Sequence, residues 1–254
     1  MRGMKKLLRR LDERGVLWAT LNRPERRNAV DYDMMDEFEQ LIHEIKHLPH
    51  VKALVITGAG DAFCAGGDLQ QFHALRTTEE AYPMLQRMGT VLYDLMLLPV
   101  PTIALLNGTA VGGGCEIASA CDYRFAAHTA TVGFVQGNLA ITTGWGGAAM
   151  LLEKVRHDEA MTLLCSARRF TAHDAKDLGF IQEVFLDDVM LSCDKWIEEM
   201  LIPRAEVLRA YKESAARRWE ATGLRERMVQ EIRQCAQLWE GEAHHEAVAA
   251  FFRR

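Results

Sequence analysis

The chain carries only four serines, at 119, 166, 192 and 214, and none sits in a G-x-S-x-G turn. A serine nucleophile raised on a strand-to-helix elbow is disfavoured on that ground. The six cysteines (64, 115, 121, 165, 193 and 235) include no C-x-x-C pair. They read as reduced, mostly buried thiols in a cytoplasmic setting rather than as a disulfide frame. Nine histidines include a single H-E-x-x-H spacing, HEIKH at 43–47, a motif that does not by itself make a metal site, so none is expected. Positive charge is not in excess either: the formal net charge is −5, which argues against a nucleic-acid partner. Apolar runs fall short of membrane-spanning length, so no membrane partner is expected. The basic start, MRGMKKLLRR, leads into no apolar segment of the kind that a secretory signal needs. Phosphate cradles are missing as well: there is no G-x-x-x-x-G-K-[ST], and no G-x-G-x-x-G opens the first βα unit.

What is present is an alternation of strands and helices over 254 residues, one large domain or one core with an appendage. KKLLRRLDERGVLWATLNRP reads as a hairpin around D-E-R-G. Met34, Met35, Phe38, Leu41, Ile42, Ile45 and Leu48 then recur at helical spacing, with Asp31 as N-cap and Pro49 past the end. VKALVIT and PTIALLNG read as buried strands, residues 79–98 as a helix, and YRFAAH, TVGF and FIQEVF as further strands. The class is α/β with largely parallel sheets. From Val189 the pattern turns helical, with Met228, Ile232, Cys235 and Trp239 as an apolar stripe. This divides the chain into an α/β core, 1–188, and a helical region, 189–254, placed to cover a site or meet a neighbouring subunit.

Two loops share one form: AGGD (65–68) and GGGCE (112–116) each carry glycines between a strand and a helix. Free backbone N–H groups at a helix start are donors with a favourable dipole behind them. Two such donors converging on one oxygen make an oxyanion hole, worth ~10²–10³ in rate per donor. Glu116, flanked by Cys115 and Ile117, reads as a poorly solvated general acid or base, with burial raising its pKa and the dipole lowering it. Asp68 reads as the cap of the helix that follows it. Trp145 reads as a packing wedge.

LNRPERRNAV, AFCAGGDL and LLNGTAVGGGCEIASACDYRFA, in that order, resemble the enoyl-CoA hydratase/isomerase (crotonase) superfamily. The resemblance runs from about residue 10 to residue 185 and implies a spiral of ββα units with a helical C-terminal region. It also implies acyl-CoA thioester substrates, no cofactor beyond the coenzyme A of the substrate itself, and a homotrimer or dimer of trimers. Position by position, the N–H groups of Gly67 and Gly113 become the oxyanion donors for a thioester enolate. Ala65, Gly66, Asp68, Leu69 and Gly112 become contacts to the substrate and its CoA, with Arg26 and Ala29 on the other side. Glu116 takes the place of the first catalytic glutamate of the hydratases.

The second glutamate falls, counting back from GWGG, at Gln136. Glutamine hydrogen-bonds but does not titrate, whereas hydration of an enoyl thioester wants two carboxylates. Double-bond isomerisation needs one base, so Glu116 suffices for an isomerase-like reading. Decarboxylation of a methyl- or ethylmalonyl-type thioester needs no base in its first step, and F-V-Q-…-W-G-G resembles that branch of the family. Gln136 would then orient the departing carboxylate, with Thr142 and Thr143 as neighbouring polar contacts. A further alternative is an acyl-CoA-binding subunit without activity.

Overall fold

The D-E-R-G turn folds as expected in the computed structural model, which describes residues 5–253; residues 1–4, at the head of the basic start, and residue 254 lie outside the described residues. Strands β1 (Leu7–Leu11) and β2 (Val16–Leu21) pair antiparallel around it. Helix α1 (Tyr32–His47) begins where Asp31 accepts a hydrogen bond from the Met34 N–H at 3.0 Å. It buries Met34, Met35, Phe38, Leu41, Ile42 and Ile45, the residues at apolar spacing.

The chain then repeats one unit: a strand for a large sheet, a shorter strand for a small sheet, and helix. The first unit is β3 (Ala53–Gly58), β4 (Ala62–Cys64), a single turn α2 (Leu69–Phe72) and the long α3 (Thr78–Met96). The second is β5 (Thr102–Leu106), β6 (Thr109–Val111) and α4 (Gly113–Ala120). The third is β7 (Tyr123–Ala127), β8 (Thr131–Gly133), a 3-10 turn over Val135–Leu139 and α5 (Gly147–Leu152). Helix α6 (His157–Cys165), β9 (Phe170–Thr171), α7 (Ala172–Asp177) and β10 (Glu183–Phe185) complete the sheets. Four helices follow: α8 (Val189–Met200), α9 (Ala205–Ala221), α10 (Leu224–Trp239) and α11 (Glu242–Phe252).

The large sheet runs β1-β2-β3-β5-β7-β10, parallel from β2 onward, and the small one runs β4-β6-β8-β9. This is the ββα spiral that the resemblance implied. The short strands β4 and β6 were not anticipated, because three residues each, AFC and TAV, are too few to show a period. Each glycine loop therefore leaves a strand of the small sheet, not VKALVIT or TIALL. Since β4 and β6 are paired neighbours, with Ala62 opposite Thr109 and Cys64 opposite Ala110, the two loops emerge side by side.

One apolar cluster joins α1, α3, the inner face of the large sheet and α10. The stripe on α10 buries Leu224, Met228, Ile232, Cys235, Ala236 and Trp239 against it. A smaller cluster on the opposite face packs Trp18, Val55, Ile103 and Phe125 under Cys193 and Ile197 of α8.

Candidate active site

The first free donor follows from a short parallel bridge. Val30 donates to the Gly66 carbonyl and accepts from the Asp68 N–H, both at 2.8 Å. A parallel ladder engages only the flanking groups, so the intervening Gly67 N–H has no acceptor among the described residues. The second donor follows from the helix start. Gly112, at φ 56 and ψ −122, turns the chain so that its carbonyl takes the N–H groups of Cys115 and Glu116; an L side chain is strained at such a φ. Gly113 opens α4 with its own N–H unpaired among the described residues, at the positive end of the dipole. The loops touch: a Cβ on Gly66, itself at φ +94, would stand 2.9 Å from the Gly113 nitrogen.

Glu116 is 2% exposed. Its Oε1 accepts from Gln136 Nε2 at 3.0 Å and Gly144 N at 3.2 Å, and its Oε2 from Trp145 N at 2.8 Å and Gly147 N at 2.9 Å. Burial, and then the carboxylate of Glu231, push its carboxyl up to about 8, while the three backbone N–H groups pull the other way. Four donors suit an anion, but removal from water and a like charge outweigh them. Glu116 is thus an acid poised near neutral pH. To meet a ligand it must release a donor, and Gln136 is the side-chain one.

Gln136 is 9% exposed, and its Oε1 has no hydrogen-bond partner among the described residues. Its Cδ stands 4.0 Å from where a Cβ on Gly112 would lie, so the amide connects Glu116 to the glycine triplet. Gly67, Gly113, Glu116 and Gln136 are therefore brought together.

Trp145 packs as the wedge that the sequence suggested, and the glycine that it meets is Gly113. Trp145 is 4% exposed, and a Cβ on Gly113 would fall 2.1 Å from its Cζ3.

Thr143 is 5% exposed. Its hydroxyl donates to Glu231 and accepts from Ala148 N at 3.3 Å, which leaves one lone pair but no proton for a ligand. Thr142 is exposed, and its carbonyl accepts from the Cys235 thiol at 3.4 Å. Glu231 of α10 was missed. It takes Ala148 N at 3.0 Å and Ala149 N at 2.8 Å, and burial raises its pKa. Its signal lay in its place beside the stripe, three residues after Met228 and one before Ile232.

On the side read as the CoA contact, Arg26 is exposed and Ala29 buried in the segment that reaches the AGGD loop. The Ala65 N–H is bonded to the Arg27 carbonyl at 2.9 Å, so Ala65 and Asp68 offer no free N–H there; nor does Gly66, whose N–H meets the Cys64 sulfur at 3.4 Å. Leu69 begins α2 beside them, and Asp68 caps that helix as read, accepting from Gln70 N at 3.1 Å. Arg23, also missed, ties the segment together: it donates to the Ala29 carbonyl at 2.6 Å and to Asp68 at 2.9 Å, and pairs with Asp31. A surface cavity of about 570 Å³ lined by Arg10, Trp18 and Asp194 involves none of these groups.

Two fixed donors, one titratable carboxyl and one amide can hold an oxyanion and move one proton. The family model described as enoyl-CoA hydratase/isomerase matches residues 12–254. Ethylmalonyl-CoA decarboxylase of Danio rerio is 32% identical over 249 residues, which span 96% of this chain and 82% of that protein. YngF of Bacillus subtilis (strain 168), named for the enoyl-CoA hydratase/isomerases, is 37% identical over 194 residues, 75% of this chain and 69% of its own. A solved enoyl-CoA hydratase/isomerase from Xanthobacter autotrophicus Py2 shares the fold, with a TM-score of 0.89 at 23% identity over 99% of this chain and 94% of that one. The chain belongs to the enoyl-CoA hydratase/isomerase family.

Proposed function

We propose that the chain decarboxylates a 2-substituted malonyl-CoA thioester of the methyl- or ethylmalonyl type. The thioester oxygen accepts from the N–H groups of Gly67 and Gly113. The bond between the α-carbon and the carboxylate breaks, carbon dioxide leaves, and the electron pair passes into an enolate whose oxygen the two donors stabilise. Protonated Glu116 then returns a proton to the α-carbon, and the saturated acyl-CoA departs. No cofactor beyond the substrate's own coenzyme A is needed.

The observation that carries this reading is the Gln136–Glu116 hydrogen bond. Hydration would want two titrating carboxylates there, and the site offers one carboxylate bonded to an amide. Relatives named ethylmalonyl-CoA decarboxylase support the same choice. A second reading, isomerisation of an enoyl-CoA double bond, is favoured by the Glu116 carboxyl near 8, a value suited to shuttling a proton at neutral pH. A homotrimer or dimer of trimers in the cytoplasm fits either reaction.

The test offers crotonyl-CoA, a 3-enoyl-CoA and ethylmalonyl-CoA to the protein across the pH range. Decarboxylation uses Glu116 as an acid, so its rate falls above pH ~8 as the proton is lost. Isomerisation uses it as a base, so that rate falls below pH ~8. Crotonyl-CoA hydrated faster than ethylmalonyl-CoA is decarboxylated would overturn the proposal, and binding without turnover of any of them would leave the chain an acyl-CoA-binding subunit.

A further inference from the structure

Neither reaction above uses the bulk of Trp145, yet its indole occupies the space that both oxyanion glycines leave open. A Cβ on Gly113 would lie 2.1 Å from Cζ3 and 2.4 Å from Cη2, and one on Gly67 would lie 3.4 Å from Cζ2. The benzo edge thus lies against the Cα of the two residues whose N–H groups are free. Phe72 lies on the same side of Gly67, 3.2 Å from its Cβ position.

The segment that carries the ring is fixed from three directions. The Trp145 backbone N–H is held on Glu116 Oε2 at 2.8 Å. Gly144 before it packs on Leu85 of α3 and Cys235 of α10, and Gly146 after it packs on Met228.

A thioester oxygen held by both N–H groups at ~2.9 Å keeps the attached acyl carbons within a few ångströms of the same two glycine Cα atoms. The first carbons of the acyl group therefore run along the indole edge. We infer that Trp145 is a specificity-determining residue that limits the acyl group to a short chain. An ethyl or propyl group fits beside the ring, whereas a long straight chain requires it to move. The inference rests on the reading of the site as an acyl-CoA site and adds the length of the acyl group that it accepts.

The experiment measures binding of acetyl-, butyryl- and octanoyl-CoA, with free CoA as reference, to the wild type, W145A and W145F by calorimetry. Saturated thioesters bind without depending on which reaction the enzyme performs. The wild type is expected to favour butyryl- over octanoyl-CoA by about tenfold or more, the scale of a misfit in an apolar pocket. W145A is expected to remove or invert that ratio. W145F, which keeps an aromatic ring in the core, is expected to shift it in the same direction. A purely structural role would weaken all chain lengths alike. Equal affinity of the wild type for all lengths, or a ratio unchanged in W145F, overturns the role of Trp145 while the acyl-CoA reading stands. Failure of the wild type to bind any acyl-CoA overturns the acyl-CoA reading itself.

Discussion

At the scale of single residues, the site is made by what glycine omits. Gly112 and Gly113 are adjacent, yet they are constrained by different physics. Gly112 needs its positive φ, while the Cβ position at 113 lies inside the Trp145 ring. Gly113→Ala therefore displaces the indole and, with it, the N–H that opens α4. A ~10²–10³-fold fall in kcat is expected from loss of one oxyanion donor, with overpacking costing about 1–3 kcal/mol in a denaturant titration. Gly112→Ala meets no atom closer than 4.0 Å and should cost about 1–3 kcal/mol of backbone strain. Equal kcat in the two variants would show that the Gly113 donor does not act. The two glycine loops and Glu116 were readable from loop chemistry, whereas the choice of Gly67, Gly113 and Gln136 came from the family resemblance. Arg23 and the facing of Thr143 were not readable, because both depend on Asp68 and Glu231, partners far away in sequence.

At the scale of elements, α5 explains why two buried acids lie so close together. The helix is six residues long, its N-cap is Gly146, and no local side chain caps it. Its unpaired N–H groups are met from elsewhere: Glu116 of α4 takes Gly147, and Glu231 of α10 takes Ala148 and Ala149. The cap is thus tertiary, which is why the sequence around GWGG gave no sign of it. The same distance in sequence hid β4 and β6, which exist because they pair and not because of any pattern within three residues. Glu231→Ala leaves two N–H groups and the Thr143 hydroxyl without their acceptor. A loss of about 2–4 kcal/mol is expected by urea titration. Removing the Glu231 charge also makes Glu116 easier to ionise, because that charge raises the Glu116 pKa. The acid-dependent limb of the rate profile should therefore move from about 8 to lower pH. A limb that stays in place would mean that Glu116 does not set it.

At the scale of the whole molecule, the site is closed by chain far from the motifs that announce it. The helical stripe was readable, and it predicted a cover, but not which loops it would hold. Helix α11 holds the segment of Gln136: His244, 2% exposed, has Nδ1 at 2.7 Å from the Leu139 carbonyl, and its ring lies 4.6 Å from Trp239. A carbonyl accepts only, so the proton sits on Nδ1, and burial keeps the ring's pKa below its usual value. His245, on the same helix, is only partly buried and reaches the Arg76 carbonyl at 3.2 Å. His244→Ala should then cost about 1–3 kcal/mol of stability through the lost bond and contact. It should also lower kcat by about tenfold through misplacement of the Gln136 amide, whereas His245→Ala should change neither by a comparable amount. If His244 acts through Gln136, the two effects on kcat are not additive. In a Gln136→Ala background, His244→Ala should then lower stability as before while removing little further activity. A full tenfold loss in that background would mean that α11 supports the site by some route other than the amide.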